Sequence, residues 1–216
     1  MIEAVVFDMD GLLIDSEPFW ERARIEALGA DRLRWTEADQ EQIMGSSTQN
    51  WANFLAERLN HELSPAVIID RVLNQMVESY RAHVPALPGA HETITALAGH
   101  YPLGLASGSP YRLIEAVMEG TGWGAAFSEI LSSDEVALGK PAPDVYQEIA
   151  RRMRVPAHHI AVFEDSANGI LAAHAAGHKV IAVPGVYHQP APDTLQKANL
   201  VLDSLLAFDP VMLQDL

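Results

Sequence analysis

The stretch Ile2-Glu3-Ala4-Val5-Val6-Phe7-Asp8-Met9-Asp10-Gly11 decides how this chain folds. Its apolar run, rich in Val and Ile, has the pattern of a buried strand, and it ends abruptly in two aspartates one residue apart. Carboxylates held this close repel one another unless a cation or a shared proton relieves them. Asp8 and Asp10 therefore imply a metal, a proton relay or both. The competing interpretation is a polar turn closed by Gly11, since Asp-Gly is a frequent turn dipeptide. What stands at the ends of the other strands decides between them.

Working outward, short runs of Val, Ile and Leu recur at residues 102–106, 129–132, 160–163, 179–183 and 199–202. Helical patterns lie between most of them, at 111–119, 143–153 and 167–176. Strands alternating with helices predict an α/β fold on a parallel sheet, in which ligands bind at the carboxyl ends of the strands. Residues 16–84 break the alternation. They hold helical patterns at 19–27, 37–44, 48–59 and 65–82, with Ser16 as the expected N-cap and Pro18 in the first turn. The expected organisation is a core of residues 1–15 and 86–216 with an inserted helical module at 16–85. Such a module, entering directly after the Asp8–Gly11 loop, would overhang it and suits a movable lid.

The other strand ends carry suitable chemistry. Ser107-Gly108-Ser109 follows the second run, and such a turn offers hydroxyls and free N–H groups to an anion, although either serine could simply cap the next helix. After the third run comes Gly139-Lys140-Pro141-Ala142-Pro143-Asp144, a lysine in a loop stiffened by prolines and a candidate for neutralising phosphate charge. The fourth run ends in Glu164-Asp165-Ser166, where Ser166 is the expected cap of the following helix. Were the first and fourth runs neighbours, four carboxylates would converge, and a hard cation such as Mg²⁺ is their simplest partner.

Composition narrows the function classes. In 216 residues, 14 Lys and Arg stand against 29 Asp and Glu, and a net charge of −15 argues against broad nucleic-acid or anionic-membrane binding. A small anionic substrate stays compatible, because it needs only one local lysine, a few N–H groups and a divalent ion. With no cysteine there is no disulfide, no thiolate nucleophile and no Cys-based zinc site. Among nine histidines only His174 and His178 lie four apart, with Gly177 breaking the helix between them, which is poor metal spacing. The first residues run straight into a strand without a signal-like segment. The expectation is a soluble, unexported, cytoplasmic protein.

The four segments Asp8-Met9-Asp10-Gly11, Ser107-Gly108-Ser109, Lys140-Pro141 and Glu164-Asp165-Ser166 occur in the order and spacing of the haloacid dehalogenase (HAD) superfamily. The resemblance runs through almost the whole chain. Asp8 to Pro18, Gly139 to Pro143 and Glu164 to Gly169 look like the branch containing sugar-phosphate phosphatases and β-phosphoglucomutase. The resemblance implies a Rossmann-like parallel core with an inserted all-helical cap domain, and a Mg²⁺-dependent phosphoric monoester hydrolase acting on a small phosphorylated metabolite. Asp8 would be the nucleophile that forms an aspartyl-phosphate, and Asp10 the general acid and base. Asp8, the Asp10 carbonyl and Asp165 would hold Mg²⁺, with Glu164 a direct or outer ligand. Ser107, the Gly108 N–H and Lys140 would grip the phosphoryl oxygens.

Dehalogenases of the superfamily lack the second aspartate present here as Asp10, so halide release is disfavoured. A phosphosugar mutase needs a second phosphate grip in the cap. The matching segment Met44-Gly45-Ser46-Ser47-Thr48 offers hydroxyls where an arginine is expected, leaving Arg71 or Arg81 as other sources of charge. A signalling receiver domain is disfavoured by the insert and the first-strand Asp pair, and a degenerate binding protein by the completeness of the catalytic groups. Trp20, Ser46, Ser47 and Trp51 are candidate specificity residues that would equally serve as packing or capping groups.

Overall fold

The computed structural model describes residues 1–29, 35–43, 48–185 and 189–216. Strand β1, Ala4–Phe7, is buried at every position, as an apolar run without polar alternation requires when both faces of a sheet are covered. The other strands are β2 Leu103–Ser107, β3 Phe127–Ser132, β4 Ile160–Glu164, β5 Lys179–Ala182 and β6 Leu200–Val201. Every pairing is parallel, in the order β3-β2-β1-β4-β5-β6. The α/β class expected from the alternating pattern is therefore the one observed.

The chain builds outward from β1 through β2 to β3, then crosses back to β4 on the other side of β1. This reversal opens a crevice at the carboxyl ends of β1 and β4, the place where open α/β sheets bind ligands. Phe7 pairs with Leu105 on one side and Phe163 on the other, and the Asp8 N–H donates to the Phe163 carbonyl at 3.0 Å. Asp8 is thus the first residue past the pairing, held by a main-chain bond.

Alternation along β1 sends Val5 and Phe7 into one core and Ala4 and Val6 into the other. The first core packs helices α5 Ala90–Ala98 and α6 Tyr111–Thr121 through Ile94, Leu97, Leu113 and Val117. The second packs α7 Asp144–Met153 and α8 Ala167–Ala175 through Val145, Ile149, Ile170 and Ala173. A short helix, α9 Pro192–Leu195, precedes β6. The α5 segment was not among the expected helices. It is bounded by Gly89, at φ +88°, and Gly99, and its nine residues are too few to show a clear periodicity.

Between β1 and α5 lies the helical insert: α1 Glu17–Leu28, α2 Glu37–Ile43, α3 Thr48–Arg58 and α4 Pro65–Ala82. Ser64 caps α4, accepting from the Val67 N–H at 3.4 Å. Ser16 does not cap α1 as expected: its backbone is already helical at φ −82° and ψ −24°, and its hydroxyl makes no capping bond. The two connectors to the insert pair with each other. Asp15 N–H donates to the Pro85 carbonyl and Leu87 N–H to the Leu13 carbonyl, both at 2.9 Å, while Ile14 bridges to Asp10 and to Ala86. The insert therefore springs directly from the Asp8–Gly11 loop.

Phe7 stacks on Phe163 at 4.9 Å and meets Phe127 edge-on at 6.2 Å. Phe7→Ala is expected to lower unfolding stability by about 3–5 kcal/mol, measured by urea denaturation, because this buried ring cannot be replaced by local collapse between paired strands.

Candidate active site

The sheet edge gathers the carboxylates that the sequence places at separate strand ends. Lys140, from the loop between β3 and α7, sends Nζ to Asp8 Oδ1 at 2.5 Å, Glu164 Oε1 at 2.7 Å and the Ala106 carbonyl at 3.1 Å. The ammonium also stands 4.8 Å from the centre of the Tyr146 ring. Its three N–H donors are all used, so Lys140 ties the ends of β1, β2 and β4 together.

Glu164 is completely buried. Its Oε1 accepts from Lys140 and from Tyr146 Oη at 2.7 Å, and its Oε2 accepts from Ser166 N–H at 3.2 Å and Ser166 Oγ at 3.1 Å. Four donors match the acceptor capacity of a carboxylate. Ser166 does cap α8 as expected, accepting from Gly169 N–H at 3.0 Å. Gly169 itself is required by crowding, since a Cβ there would fall 1.7 Å from Glu164 Oε1.

Asp10 is held differently. Ser107 Oγ and Ser109 Oγ donate to its Oδ2 at 3.0 and 2.8 Å, while its Oδ1 is buried without a partner. The two serines are themselves braced: Ser109 N–H donates to Ser107 Oγ at 2.9 Å, and Ser132 Oγ donates to the Ser109 carbonyl at 2.7 Å. Neither serine caps α6, whose N-cap position is Pro110. Gly108 between them is exposed.

Asp165 is buried, and its Oδ1 has no hydrogen-bond partner. Gly11, at φ +81°, lets the loop pass so close that a Cβ there would lie 2.2 Å from Asp165 Oδ2. Asp8, Glu164 and Asp165 bring carboxylate oxygens within 4.8 Å of one another. An all-oxygen donor set with an orphaned buried carboxylate oxygen fits a hard cation such as Mg²⁺.

The electrostatics follow from burying so many charges together. Burial raises the Asp8 carboxyl to about 8; Lys140 opposes this, while Glu164 and Asp10 reinforce it. Asp165 is raised for the same main reason, with Glu164 and Asp8 adding to it. For Lys140, burial disfavours the charge, but Asp8 and Glu164 outweigh it and hold the ammonium well above the usual lysine range.

Of the residues singled out in the sequence, Asp8, Asp10, Ser107, Lys140, Glu164 and Asp165 all meet here. Ser109 and Tyr146 were not assigned roles in the site. Ser109 was legible as part of an anion-binding turn or as a cap, not as a partner of Asp10, and Tyr146 only as an aromatic on a helix that faces a sheet. Trp20 and Trp51 pack at 6.0 Å in the cap, while Ser46 and Ser47 lie outside the described residues. His178 is buried with both ring nitrogens against main-chain carbonyls, of Ala157 and Tyr146, so it has no atom to offer a metal shared with His174.

Comparison with known proteins identifies the family. The family model of haloacid dehalogenase-like hydrolases matches residues 2–177. Hexitol phosphatase B of Escherichia coli O157:H7 is 33% identical over 210 residues, covering 94% of this chain and 93% of that protein. Fructose-1-phosphate phosphatase YqaB of Escherichia coli K12 is 30% identical over 179 residues, 83% of this chain and 95% of that protein. The crystal structure of CbbY from Rhodobacter sphaeroides in complex with phosphate superposes with a TM-score of 0.86 at 27% identity, each chain covered completely. The chain belongs to the haloacid dehalogenase-like hydrolase family, and within it to the phosphatases.

Proposed function

We propose that the chain is a Mg²⁺-dependent phosphatase of sugar phosphates, acting through an aspartyl-phosphate on Asp8 beneath a cap formed by residues 16–85. The observation that carries this is the placement of Asp8 at the crevice end of β1, gripped by Lys140 and facing the orphaned oxygen of Asp165. The substrates for which these relatives are named, a hexitol phosphate and fructose 1-phosphate, support a polyol or sugar ester. The net charge of −15 and the absence, among the described residues, of a helix long and apolar enough to cross a membrane suit a cytoplasmic enzyme on small metabolites.

Asp8 Oδ1 is engaged by Lys140, which leaves Oδ2 to attack phosphorus. The bond to the ester oxygen breaks as the Asp8–phosphorus bond forms, and the leaving alkoxide takes a proton from Asp10. Water then attacks the aspartyl-phosphate while Asp10 takes its proton, and Asp8 and inorganic phosphate are regenerated. Ser107 and Ser109 fix Asp10 Oδ2, so the unpartnered Oδ1 is the atom left to carry the proton. The exposed Gly108 N–H would bind a phosphoryl oxygen directly, while Lys140 and Ser107 would do so by exchanging a bond each now makes, that of Lys140 to the Ala106 carbonyl and that of Ser107 to Asp10, which Ser109 continues to hold. Asp8, Asp165 and the Asp10 carbonyl would hold the cation. When bound, it neutralises phosphate charge and lets Asp8 stay ionised. Glu164, its acceptor positions filled by Lys140, Tyr146 and Ser166, orients Lys140 instead of serving as a ligand.

A mutase would need a cationic second phosphate site in the cap. Arg71 and Arg81 are exposed on α4, and the segment 44–47 lies outside the described residues. A receiver domain would lack the helical insert that α1 to α4 form here.

Asp8→Asn is expected to abolish Mg²⁺-dependent phosphate release with the circular dichroism spectrum unchanged; turnover near wild type would remove Asp8 as nucleophile. In the same assay Asp10→Asn should let aspartyl-phosphate accumulate from an activated ester while slowing its breakdown. Given a hexose 1-phosphate, the enzyme should release inorganic phosphate, and accumulation of the hexose 6-phosphate would favour the mutase. A fourth outcome concerns pH. In chelator, folded Asp8 keeps its proton up to about pH 8, whereas the unfolded carboxyl loses it near 3.8, so between these values the folded chain binds more protons. Stability contributed at this site then falls as pH rises. The melting temperature of wild type relative to Asp8→Asn should therefore decline from pH 5 to 8, and a flat difference would contradict the buried, protonated Asp8.

A further inference from the structure

Ser132, the last residue of β3, takes no step in this scheme, yet it is completely buried beside residues that do. It pairs across the ladder with Ser107, the last residue of β2. Its hydroxyl is fully committed: the Asp134 N–H donates to Ser132 Oγ at 3.1 Å, and Ser132 Oγ donates to the Ser109 carbonyl at 2.7 Å. The direction of that proton is forced, since an amide N–H only donates and a carbonyl only accepts. Residue 110 is proline, which has no N–H, so the Ser109 carbonyl is the one polar group of the 109–110 peptide. With this carbonyl held by Ser132 and its N–H by Ser107 Oγ at 2.9 Å, the buried Ser109 main chain is fixed on both sides, and its hydroxyl meets Asp10 Oδ2 at 2.8 Å.

The tie continues outward. Glu135 Oε1 accepts from the Ser132 N–H at 3.1 Å, closing a capping box, and Glu135 Oε2 accepts from Arg152 Nη2 at 3.0 Å. Arg152, in the last turn of α7, is held in turn by Glu148, whose Oε1 accepts from its Nε at 2.9 Å. Ser132 is therefore the buried middle of a chain that runs from the surface of α7 through Arg152, Glu135, Ser132 and Ser109 to Asp10. The two serines on Asp10 Oδ2 are not equivalent once substrate binds. Ser107 would exchange its bond to Asp10 for a phosphoryl oxygen, and Ser109 alone would then keep Oδ2 in place.

We propose that Ser132 is a positioning residue for the proton transfers assigned to Asp10: by clamping the Ser109 carbonyl it keeps the Ser109 hydroxyl on Asp10 Oδ2 while a phosphoryl group occupies Ser107, and Glu135 and Arg152 anchor the clamp from outside. The inference rests on the phosphatase function proposed above. A carboxyl held by one hydroxyl swings unless the backbone carrying that hydroxyl is itself fixed, and small displacements of a proton donor are costly in rate. The clamp makes turnover depend on the leaving oxygen. An alkoxide needs the Asp10 proton as it departs, whereas the phenolate of p-nitrophenyl phosphate is stable enough to leave without one. Loss of the clamp therefore weakens turnover of the two ester classes unequally.

The test measures kcat/KM with Mg²⁺ for fructose 1-phosphate, an alkyl ester, and for p-nitrophenyl phosphate. This parameter ends at the first displacement, so the ratio of the two isolates protonation of the leaving oxygen. Ser132→Ala should lower the alkyl value by about tenfold or more relative to the aryl value, as a misplaced proton donor predicts. In a Ser109→Ala background the same substitution should leave the ratio where Ser109→Ala alone sets it, because the path to Asp10 is already cut. Glu135→Ala, at a side chain 37% exposed, carries the test if Ser132→Ala folds poorly. Its ratio should shift in the same direction by about 2–5-fold, as loss of one half-exposed acceptor predicts. Equal losses on both esters in Ser132→Ala and Glu135→Ala, or losses of Ser132→Ala and Ser109→Ala that add in the double variant, would overturn the clamp while leaving the phosphatase intact. Absence of release from either ester by the wild-type chain with Mg²⁺ would remove the phosphatase function and the clamp together.

Discussion

A single buried ammonium holds this molecule's working end together. Lys140 binds Asp8 and Glu164 at once, with its side chain only 11% exposed and Glu164 not exposed at all. Without it, carboxylates at this density would be pushed still further toward protonation or would drive the strand ends apart, because a buried charge without a partner costs several kcal/mol. The cation also reaches the Ala106 carbonyl, so it fastens the end of β2 as well as those of β1 and β4. One positive charge cannot balance Asp8, Asp10, Glu164 and Asp165. Burial pushes the Asp165 carboxyl up, its Oδ1 finds no donor, and this shortage of positive charge within the chain is the physical case for a divalent ion.

Much of this was legible in the amino-acid sequence because strands buried on both faces leave a simple signature. The runs at 102–106 and 160–163 fall within a residue of β2 and β4, and α4 spans 65–82 as its pattern suggests. Once the parallel sheet is inferred, residues just past each run must share one edge, which is why Asp8, Ser107 and Asp165 could be grouped without coordinates. Pairing of donors with acceptors was not legible. The hydroxyls of Ser107 and Ser109 have the same chemistry whether they cap a helix or hold a carboxylate, and Pro110 at the N-cap position is the local detail that separates the two. Tyr146 looks like any core aromatic until α7 packs across β2 and β3 and its hydroxyl reaches Glu164 at the end of β4.

Backbone thinness does as much as charge to shape the centre. Gly169 leaves room for Glu164 to fold back beneath α8, and Gly11 leaves room for Asp165 against the first loop. A Cβ at Gly169 or Gly11 would meet a carboxylate oxygen at 1.7 or 2.2 Å, so that carboxylate would have to shift. The acidic residues are thus confined between a cation that attracts them and a backbone that has withdrawn its Cβ atoms, a combination that orients them before any ligand arrives.

The two aspartates of the first loop end under different restraints, and this follows from where the cap is attached. Asp8 is locked from within the sheet by the Phe163 carbonyl and Lys140. Asp10 is held on one side by the two serines of the β2 loop and on the other by the connector, where Ile14 bridges to both Asp10 and Ala86. Because the outgoing and returning connectors are hydrogen-bonded to each other at Asp15 and Leu87, any change in their relative path acts on Ile14 and so on Asp10. Asp10, the proposed proton carrier, is therefore mechanically coupled to the cap, and Asp8, the proposed nucleophile, is not. The proposed aspartyl-phosphate route, which must shield its intermediate from water and then admit one water, would gain from this division, since cap position would adjust Asp10 without disturbing Asp8.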